Sequence, residues 1–240
     1  MALNKLNLAI LILILILSGC IKKEKDELTL PGKFKLSIAI ESSGYEFLSF
    51  GGKIGIQRIR FEGYREAGED VFFETEPKMN LPLLTFSNPQ TYISDFDIPR
   101  GVYNYMKWDI DLKRIGTNEL FYNYGADSLK NIGLVFSGTY DFGYGEDPLY
   151  PIYFAIDDTV KFSFRSKDGE RFVLSENENY KVILLFDPHY IFSKISQDSI
   201  QKLDTSGAIG HQIIIISSNK NEDMYKKLLS GISQSTRILF

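Results

Sequence analysis

Residues 102–112 read VYNYMKWDIDL, and this stretch decides the fold class. Apolar and polar residues alternate in it with a period of two, which is the side-chain period of a β-strand. The predicted core face carries Val102, Met106, Trp108, Ile110 and Leu112. The predicted opposite face carries Tyr103, Tyr105, Lys107, Asp109 and Asp111. The stretch therefore predicts a long strand with one buried and one solvent-facing side.

The same period extends to both sides of this strand. Residues 34–40 alternate in the same way, and Val71 to Phe73 form a short apolar run. Ile54 and Ile56 set one phase, and the next apolar residues continue in the opposite phase, which predicts a β-bulge near Gln57-Arg58. Further strands are predicted at residues 132–140, 152–157, 160–166, 170–175 and 180–187.

Two turns are well specified by the sequence. Asp168-Gly169 lies between two alternating segments and predicts a hairpin, because glycine tolerates the positive φ that tight hairpin turns need. Ile98-Pro99-Arg100-Gly101 predicts a second turn just before the strand at 102–112. Because turn signals recur about every ten residues, the pattern favours a β-sandwich.

The predicted fold is mainly β: a single antiparallel β-sandwich domain of about 8–10 strands over residues 33–240. One or two helices are predicted near the C-terminus. Asn221 is a candidate N-cap, and the helix that follows it is expected to run to about Gln234. The last residues, 238–240, form an apolar tail that either closes its own sheet or adds a strand to a neighbouring molecule.

The first twenty residues have the layout of a secretory signal. Lys5 supplies a positive charge, residues 8–17 form an uncharged apolar core, and Leu17-Ser18-Gly19 puts small residues before Cys20. The apolar core is too short for a membrane-spanning helix, which needs about 20 apolar residues. The alternatives are an ordinary signal peptide with a chance cysteine, or a buried apolar strand.

Leu17-Ser18-Gly19-Cys20 resembles the lipobox of bacterial lipoproteins. The resemblance implies that residues 1–19 are removed as a signal peptide and that Cys20 receives a thioether-linked lipid and an acyl chain such as palmitate. Residues 20–32 are then the lipidated cysteine and a flexible tether. Ile21 follows the cysteine instead of the aspartate that commonly retains such proteins at the inner membrane, so the resemblance favours the outer membrane.

Two segments, residues 96–103 and 180–188, resemble β-sandwich lipoproteins associated with surfaces and fimbriae of Gram-negative bacteria. The resemblance carries no catalytic residue over to this chain. It implies a location in the cell envelope, either facing the periplasm or the outside.

Composition restricts the partners. The formal net charge is −4 and no basic stripe with interleaved aromatic residues is present, which argues against nucleic acid. Cys20 is the only cysteine, so the domain has no disulfide and depends on core packing. We therefore expect the membrane as a partner through lipid on Cys20, together with a glycan or protein ligand.

A tyrosine-rich, glycine-containing segment near residues 140–153 is the candidate ligand-binding site. Exposed aromatic side chains on a rigid scaffold stack on sugars or anchor a protein partner, although such residues also pack in cores. The candidate ligand-binding residues are Tyr140, Phe142, Tyr144 and Tyr150. The same segment offers oxygen ligands for calcium from Asp141, Glu146 and Asp147, although the expectation is that the protein has no cofactor.

No standard catalytic motif is present in the sequence. A hydrolase is the enzymatic alternative, and it would have to use His189 beside Asp187, or His211, or an acidic strand face. Asp109 and Asp111 project from one strand face, and Asp97 lies on the preceding element. The bland interpretation is a solvated strand face and a turn-forming aspartate.

The sequence thus leaves three function classes. The favoured one is a lipid-anchored, non-catalytic binding or adhesion module at the outer membrane or cell surface. The second is a structural or assembly subunit of a surface appendage. The third is the hydrolase that uses His189 or the acidic strand face.

Overall fold

The computed structural model describes residues 31–41, 47–83, 90–115, 131–140, 151–167, 169–176, 178–193, 196–206 and 212–240. The fold is a β-sandwich of two mixed sheets with short helices near the C-terminus. The strands are β1 (Pro31–Ile40), β2 (Phe47–Arg65), β3 (Val71–Thr75), β4 (Met79–Leu83), β5 (Thr91–Pro99), β6 (Gly101–Leu112), β7 (Ile132–Tyr140), β8 (Pro151–Asp157), β9 (Lys161–Arg165), β10 (Phe172–Leu174), β11 (Asn179–Phe186), β12 (Thr205–Ser206), β13 (Ile213–Ile216) and β14 (Thr236–Leu239). The helices are α1 (Pro188–Phe192), α2 (Gln197–Gln201) and α3 (Glu222–Gly231), and a 3₁₀ turn (Ile232–Gln234) follows α3.

The smaller sheet has four strands in the order β14-β11-β1-β5. β1 runs parallel to β11 and antiparallel to β5, and β14 runs antiparallel to β11. Leu184 pairs with Ile238, so the apolar C-terminal tail is a strand of the molecule's own sheet. The tail is therefore the edge strand of the smaller sheet.

The larger sheet has ten strands, and β2 is its spine. One edge of β2 pairs with β7 near its start and with β6 near its end, and its other edge pairs with β4 and then β3. β9 and β10 both pair with β6, while β8, β13 and β12 continue the sheet beyond β7. The 19-residue strand β2 thus connects two groups of strands, one around β6 and the other around β7.

We name the two ends of the sandwich by the strand termini they contain. The lower end contains Pro31, Arg65 and Pro99, because Pro31 pairs with Pro99 and Arg65 pairs with Tyr103 at the start of β6. The upper end contains the start of β2, where the backbone of Phe47 pairs with that of Tyr140.

Aromatic side chains fill the space between the sheets. The ring of Phe186 on β11 lies 5.4 Å from that of Phe136 and 5.0 Å from those of Phe162 and Phe164 on the facing sheet. Trp108 is fully buried among three phenylalanine rings, from Phe61, Phe73 and Phe96. Such burial is the main favourable contribution to folding for a domain that has no disulfide.

Helices complete the core where the smaller sheet ends. Phe154 on β8 contacts the rings of Phe192 in α1 and Tyr225 in α3, and Met224 and Leu228 of α3 are also buried in the main core. None of the helices among the described residues has the length and apolar character that membrane crossing demands.

The predicted fold class is confirmed, and several details differ. The described residues form fourteen strands and three helices, two pairs of strands run parallel, and only α3 is longer than seven residues. The bulge near Gln57 is confirmed by a register shift between Ile56 and Arg58. The hairpin at Gly169 was predicted wrongly: Gly169 has a positive φ of 78°, but β9 and β10 pair with different parts of β6 instead of each other.

Two side-chain assignments in the strand at 102–112 were also wrong. Tyr103 is fully buried and Val102 is only half-buried, because a register shift at Asn104 reverses the alternation at the lower end. The Tyr103 hydroxyl donates a 2.6 Å hydrogen bond to the Pro99 carbonyl and so fastens the turn at which the chain crosses between sheets. Burial raises the pKa of Tyr103 to about 12, which keeps this donor protonated.

Asn221 precedes α3 as predicted, but its side chain does not cap the helix. Its amide nitrogen donates to the carbonyls of Asp204 and Ile215, and its side-chain oxygen accepts from the Asp204 backbone nitrogen. A left-handed backbone at Asn221 (φ 53°) allows this arrangement, which ties α3 to β13.

The change of partner along β2 requires a residue without a side chain. A Cβ at Gly55 would lie 2.0 Å from the Lys113 carbonyl oxygen, where the backbone leaves β6. The Lys113 nitrogen also donates a 2.9 Å hydrogen bond to the Gly55 carbonyl oxygen, so the two backbones are held together at this point.

We predict that Gly55→Ala lowers the free energy of unfolding by about 3 kcal/mol or more, because backbone atoms must move to admit the methyl group. The matched control is Gly231→Ala at the end of α3, where nothing lies within 4 Å of an added Cβ. The control is expected to stabilise the protein by about 0.5 kcal/mol. Urea unfolding of both variants measures the difference, and similar values for the two would contradict the close approach.

Candidate functional site

The outer face of the larger sheet carries a lattice of opposite charges. On β2, the side chains of Arg58 and Arg60 face outward because the inward positions, after the bulge, are Ile59 and Phe61. Their neighbours across the strands are Glu74 on β3 and Asp109 and Asp111 on β6, so that acids and bases alternate across the sheet.

Asp109 and Asp111 share this face, as predicted, and both are held by cations. Asp111 accepts a 2.9 Å hydrogen bond from Arg60 and lies 3.5 Å from the Lys161 ammonium nitrogen. Asp109 accepts from the Ser163 hydroxyl at 2.5 Å and pairs with Lys107 at 2.6 Å. Both carboxylates are mostly buried, with 13% and 17% of their side-chain surfaces exposed.

The electrostatics of the lattice favour its ionised form. The hydrogen bond from Lys107 to Asp109, together with the charges of Asp109 and Glu62, raises the pKa of Lys107 against the opposing effect of burial. Such a network stabilises a partly buried polar face, but it offers no uncommitted carboxylate for proton transfer. The face therefore matches the structural alternative, a solvated and ion-paired strand surface, better than a catalytic site.

Asp97 does not join the other two acids. It lies on β5 in the smaller sheet, opposite Lys33 of β1, whereas Asp109 and Asp111 lie on the larger sheet. Asp97 thus lies on the preceding strand, as predicted, but on the other sheet, because the turn at Pro99 carries the chain from one sheet to the other.

Asp187, next but one to His189 of α1, also has a structural role. One carboxylate oxygen of Asp187 accepts a 3.1 Å hydrogen bond from the backbone nitrogen of Tyr190 and so caps α1, and the other lies 3.2 Å from Arg237 on β14. Both oxygens of Asp187 thus have partners that hold α1 against the C-terminal strand. His211, the other histidine, lies outside the described residues.

The candidate ligand-binding and calcium residues lie between β7 and β8. Phe142, Tyr144, Tyr150, Asp141, Glu146 and Asp147 lie outside the described residues, as does Cys20, and for Tyr140 only the backbone is described. In the part of the chain that the structure describes, no group of three His, Cys, Asp or Glu side chains is placed to hold a metal ion.

The strands on either side of this segment are described, and both reach the same end of the sandwich. The backbone of Thr139 pairs with Pro151, and the backbone of Tyr140 pairs with Phe47 at the start of β2. Residues 141–150 are therefore connected to the upper end of the sandwich. Loops at one end of a sandwich are a common place for binding sites.

A second aromatic group, which the sequence interpretation did not select, lies at the lower end. The ring of Tyr64 on β2 meets that of Phe72 on β3 at 5.7 Å and that of Tyr105 on β6 at 5.6 Å. Tyr64 and Phe72 are exposed by 41% and 58%. The phase set by Ile59 and Phe61 already places Tyr64 on the outer face, so the signal was present in the sequence.

No family model matches this chain, and the searches of curated proteins and of solved structures found no match either.

We predict that Asp111→Asn lowers the free energy of unfolding by about 2 kcal/mol, because Arg58, Arg60 and Lys161 lose the charge that they share. Glu74→Gln is the control, since Glu74 contacts Arg58 from an exposed position and its loss is expected to cost less than about 0.5 kcal/mol. Denaturant unfolding at low and high salt compares the two. Equal losses would show that Asp111 is not the centre of the network.

Proposed function

We propose that this protein is a lipid-anchored, non-catalytic binding or adhesion module of the outer membrane or cell surface. In this proposal, lipid on Cys20 holds the domain, and the segment between β7 and β8 presents the ligand-binding residues Tyr140, Phe142, Tyr144 and Tyr150. The bound partner is a glycan or a protein with a surface on which aromatic rings stack.

The proposal rests mainly on one observation: the chain leads back to Cys20 from the lower end of the sandwich, whereas the candidate segment follows β7 at the upper end. The described fold begins at Pro31 in the lower end, eleven residues after Cys20, whereas the candidate segment is connected to the upper end. β2 joins the two ends with 19 residues, which corresponds to a length of up to about 60 Å. A domain held at its lower end would carry the tyrosine segment away from the membrane.

The alternatives have less support. A subunit that donates its C-terminal tail to a neighbour would need Ile238 and Leu239, which already pair with Leu184 and Ile183. A hydrolase would need an available acid or base, whereas Asp109, Asp111 and Asp187 are engaged in the contacts described above.

Anchoring is tested by Cys20→Ala in the full chain. We expect this variant to lose labelling by radioactive palmitate and to move from the membrane fraction to the soluble fraction of the envelope, because lipid chains on one residue provide the attachment. Ser18→Ala, which keeps a small residue before the cysteine, is expected to retain both properties. Protease treatment of intact cells then reports orientation, with lysed cells as the control. Cleavage only after lysis would exclude the cell-surface form of the proposal.

Ligand binding is tested by replacing Tyr144 and Tyr150 with serine and screening the protein against arrayed glycans and surface proteins. We expect the double variant to lose binding at least about tenfold, since stacking of aromatic rings contributes about 1 kcal/mol or more for each ring. Its unfolding midpoint should stay unchanged. Tyr92→Ser removes another exposed tyrosine from β5 and should bind normally. Equal binding by all three proteins would remove the segment as the site.

A further inference from the structure

Exposed large apolar side chains are concentrated at the lower end of the sandwich. Among the described residues there are five such side chains, and all but Tyr92 lie at this end. The four are Tyr64, Phe72, Val173 and Phe240, which we call the lower apolar patch. Contiguous apolar surface that stays in water is costly, and it usually marks an interaction site.

The strand registers place each of these side chains at the lower end, although only Tyr64 and Phe72 have a ring contact with each other. Tyr64 is next to the last residue of β2, and Phe72 pairs with Glu62 on the neighbouring strand. Val173 on β10 pairs with Val102 near the start of β6 and is 64% exposed. Phe240 follows β14, and its ring lies 4.1 Å from that of Phe172.

The same end is where the chain leads back to Cys20. Gly32 lies beside the Ser175 carbonyl oxygen, with 3.5 Å between that oxygen and an added Cβ, and Ser175 comes directly after β10. Ten residues lie between Cys20 and Pro31, so a fully extended chain spans at most about 40 Å between them. Lipid on Cys20 would therefore limit the distance of the lower end from a bilayer surface to about 40 Å, within which the lower apolar patch can reach that surface.

From this coincidence we propose that the lower apolar patch lies against the membrane that holds Cys20, with Phe72 and Val173 in the boundary between lipid headgroups and acyl chains. The inference rests on the proposed lipidation of Cys20. Phenylalanine and valine favour the apolar side of this boundary, and tyrosine favours the boundary itself because its ring is apolar and its hydroxyl is polar. A small patch is sufficient, since tethering raises the effective concentration of the surface.

The charges around the patch indicate which kind of lipid surface it fits. Arg100 pairs with Glu176 at 2.5 Å, Arg171 pairs with Glu66, and the Arg65 side chain donates to the Glu69 carbonyl. Arg100 and Arg171 are thus neutralised by ion pairs, and the acids Glu69 and Asp70 lie beside Arg65. Contact should therefore depend on apolar burial more than on anionic lipids, and it should be insensitive to salt.

The experiment uses the full-length lipidated protein in vesicles of phosphatidylethanolamine with a minor fraction of phosphatidylglycerol. Since Cys20 is the only cysteine and its sulfur is blocked by lipid, a single introduced cysteine carries a spin label without further changes. The labelled variants are Phe72→Cys and Val173→Cys, with Tyr92→Cys as the matched exposed control. Relaxation by oxygen, which concentrates in lipid, is compared with relaxation by a nickel complex, which stays in water.

We expect the oxygen-to-nickel accessibility ratio at positions 72 and 173 to exceed that at position 92 several-fold, at both low and high salt. Equal, water-like ratios at all three positions would overturn the proposal. Shielding from both reagents at positions 72 and 173 would also overturn it, since a protein surface would then cover the patch. Mass spectrometry of the N-terminal fragment distinguishes failure of membrane contact from failure of anchoring. A fragment without lipid on Cys20 would refute the anchoring, whereas a lipidated fragment with water-like ratios would refute only the contact of the patch with the membrane.

Discussion

Strand β2 must keep one face buried from Ile54 to Phe61 while its neighbours change, and this constraint determines the rest of the structure. The bulge at Gln57 returns the apolar phase to the core after Ile56, so that Ile59 and Phe61 point inward. Gly55 lets the end of β6 approach closely just before that bulge. Without both features, β6 and β7 could not share one edge of the same strand, and the two groups of strands would not form one sheet.

A long strand that faces solvent also needs a polar outer surface. The alternating charges on β2, β3, β6 and β9 meet this need, and the partial burial of Asp109 and Asp111 indicates that the lattice is packed as well as polar. Towards the lower end of β2 the charges give way to aromatic residues, where the ring of Tyr64 contacts those of Phe72 and Tyr105. Near β7, β8 and β13 the same face of the larger sheet carries a separate, buried apolar cluster that includes Val135, Ala155 and Ile215.

The sequence predicts the strands well and their partners poorly, and the reason is physical. Alternation in residues 106–112 depends only on local side-chain period, so it identified Met106, Trp108 and Leu112 as core residues. Whether β9 pairs with β10 or with β6 depends on contacts between residues that are distant in sequence. The turn residues around Gly169 determine only the local backbone, so they do not predict this choice. The sequence does not indicate the bulge at Asn104, because Val102 and Tyr103 both suit a buried strand position.

The candidate site shows the same division. The shared face of Asp109 and Asp111 follows from strand period, but the cations that hold them come from β2 and β9, which only the folded sheet brings together. The tyrosine segment at residues 141–150 was selected by composition, and what the fold adds is its connection to the upper end. The lower apolar patch joins residues from four separate parts of the chain, so no local pattern indicates it as one surface.

The parallel pairing of β1 with β11 bears on the order in which the chain becomes native. Lys33 lies beside Asn179, so the first strand obtains its second neighbour only after most of the chain has been synthesised. Contacts between such distant residues slow folding, because a long loop must close before they form. A polypeptide synthesised from its N-terminus would thus contain β1 and β5 well before β11 and β14 are available to complete the smaller sheet.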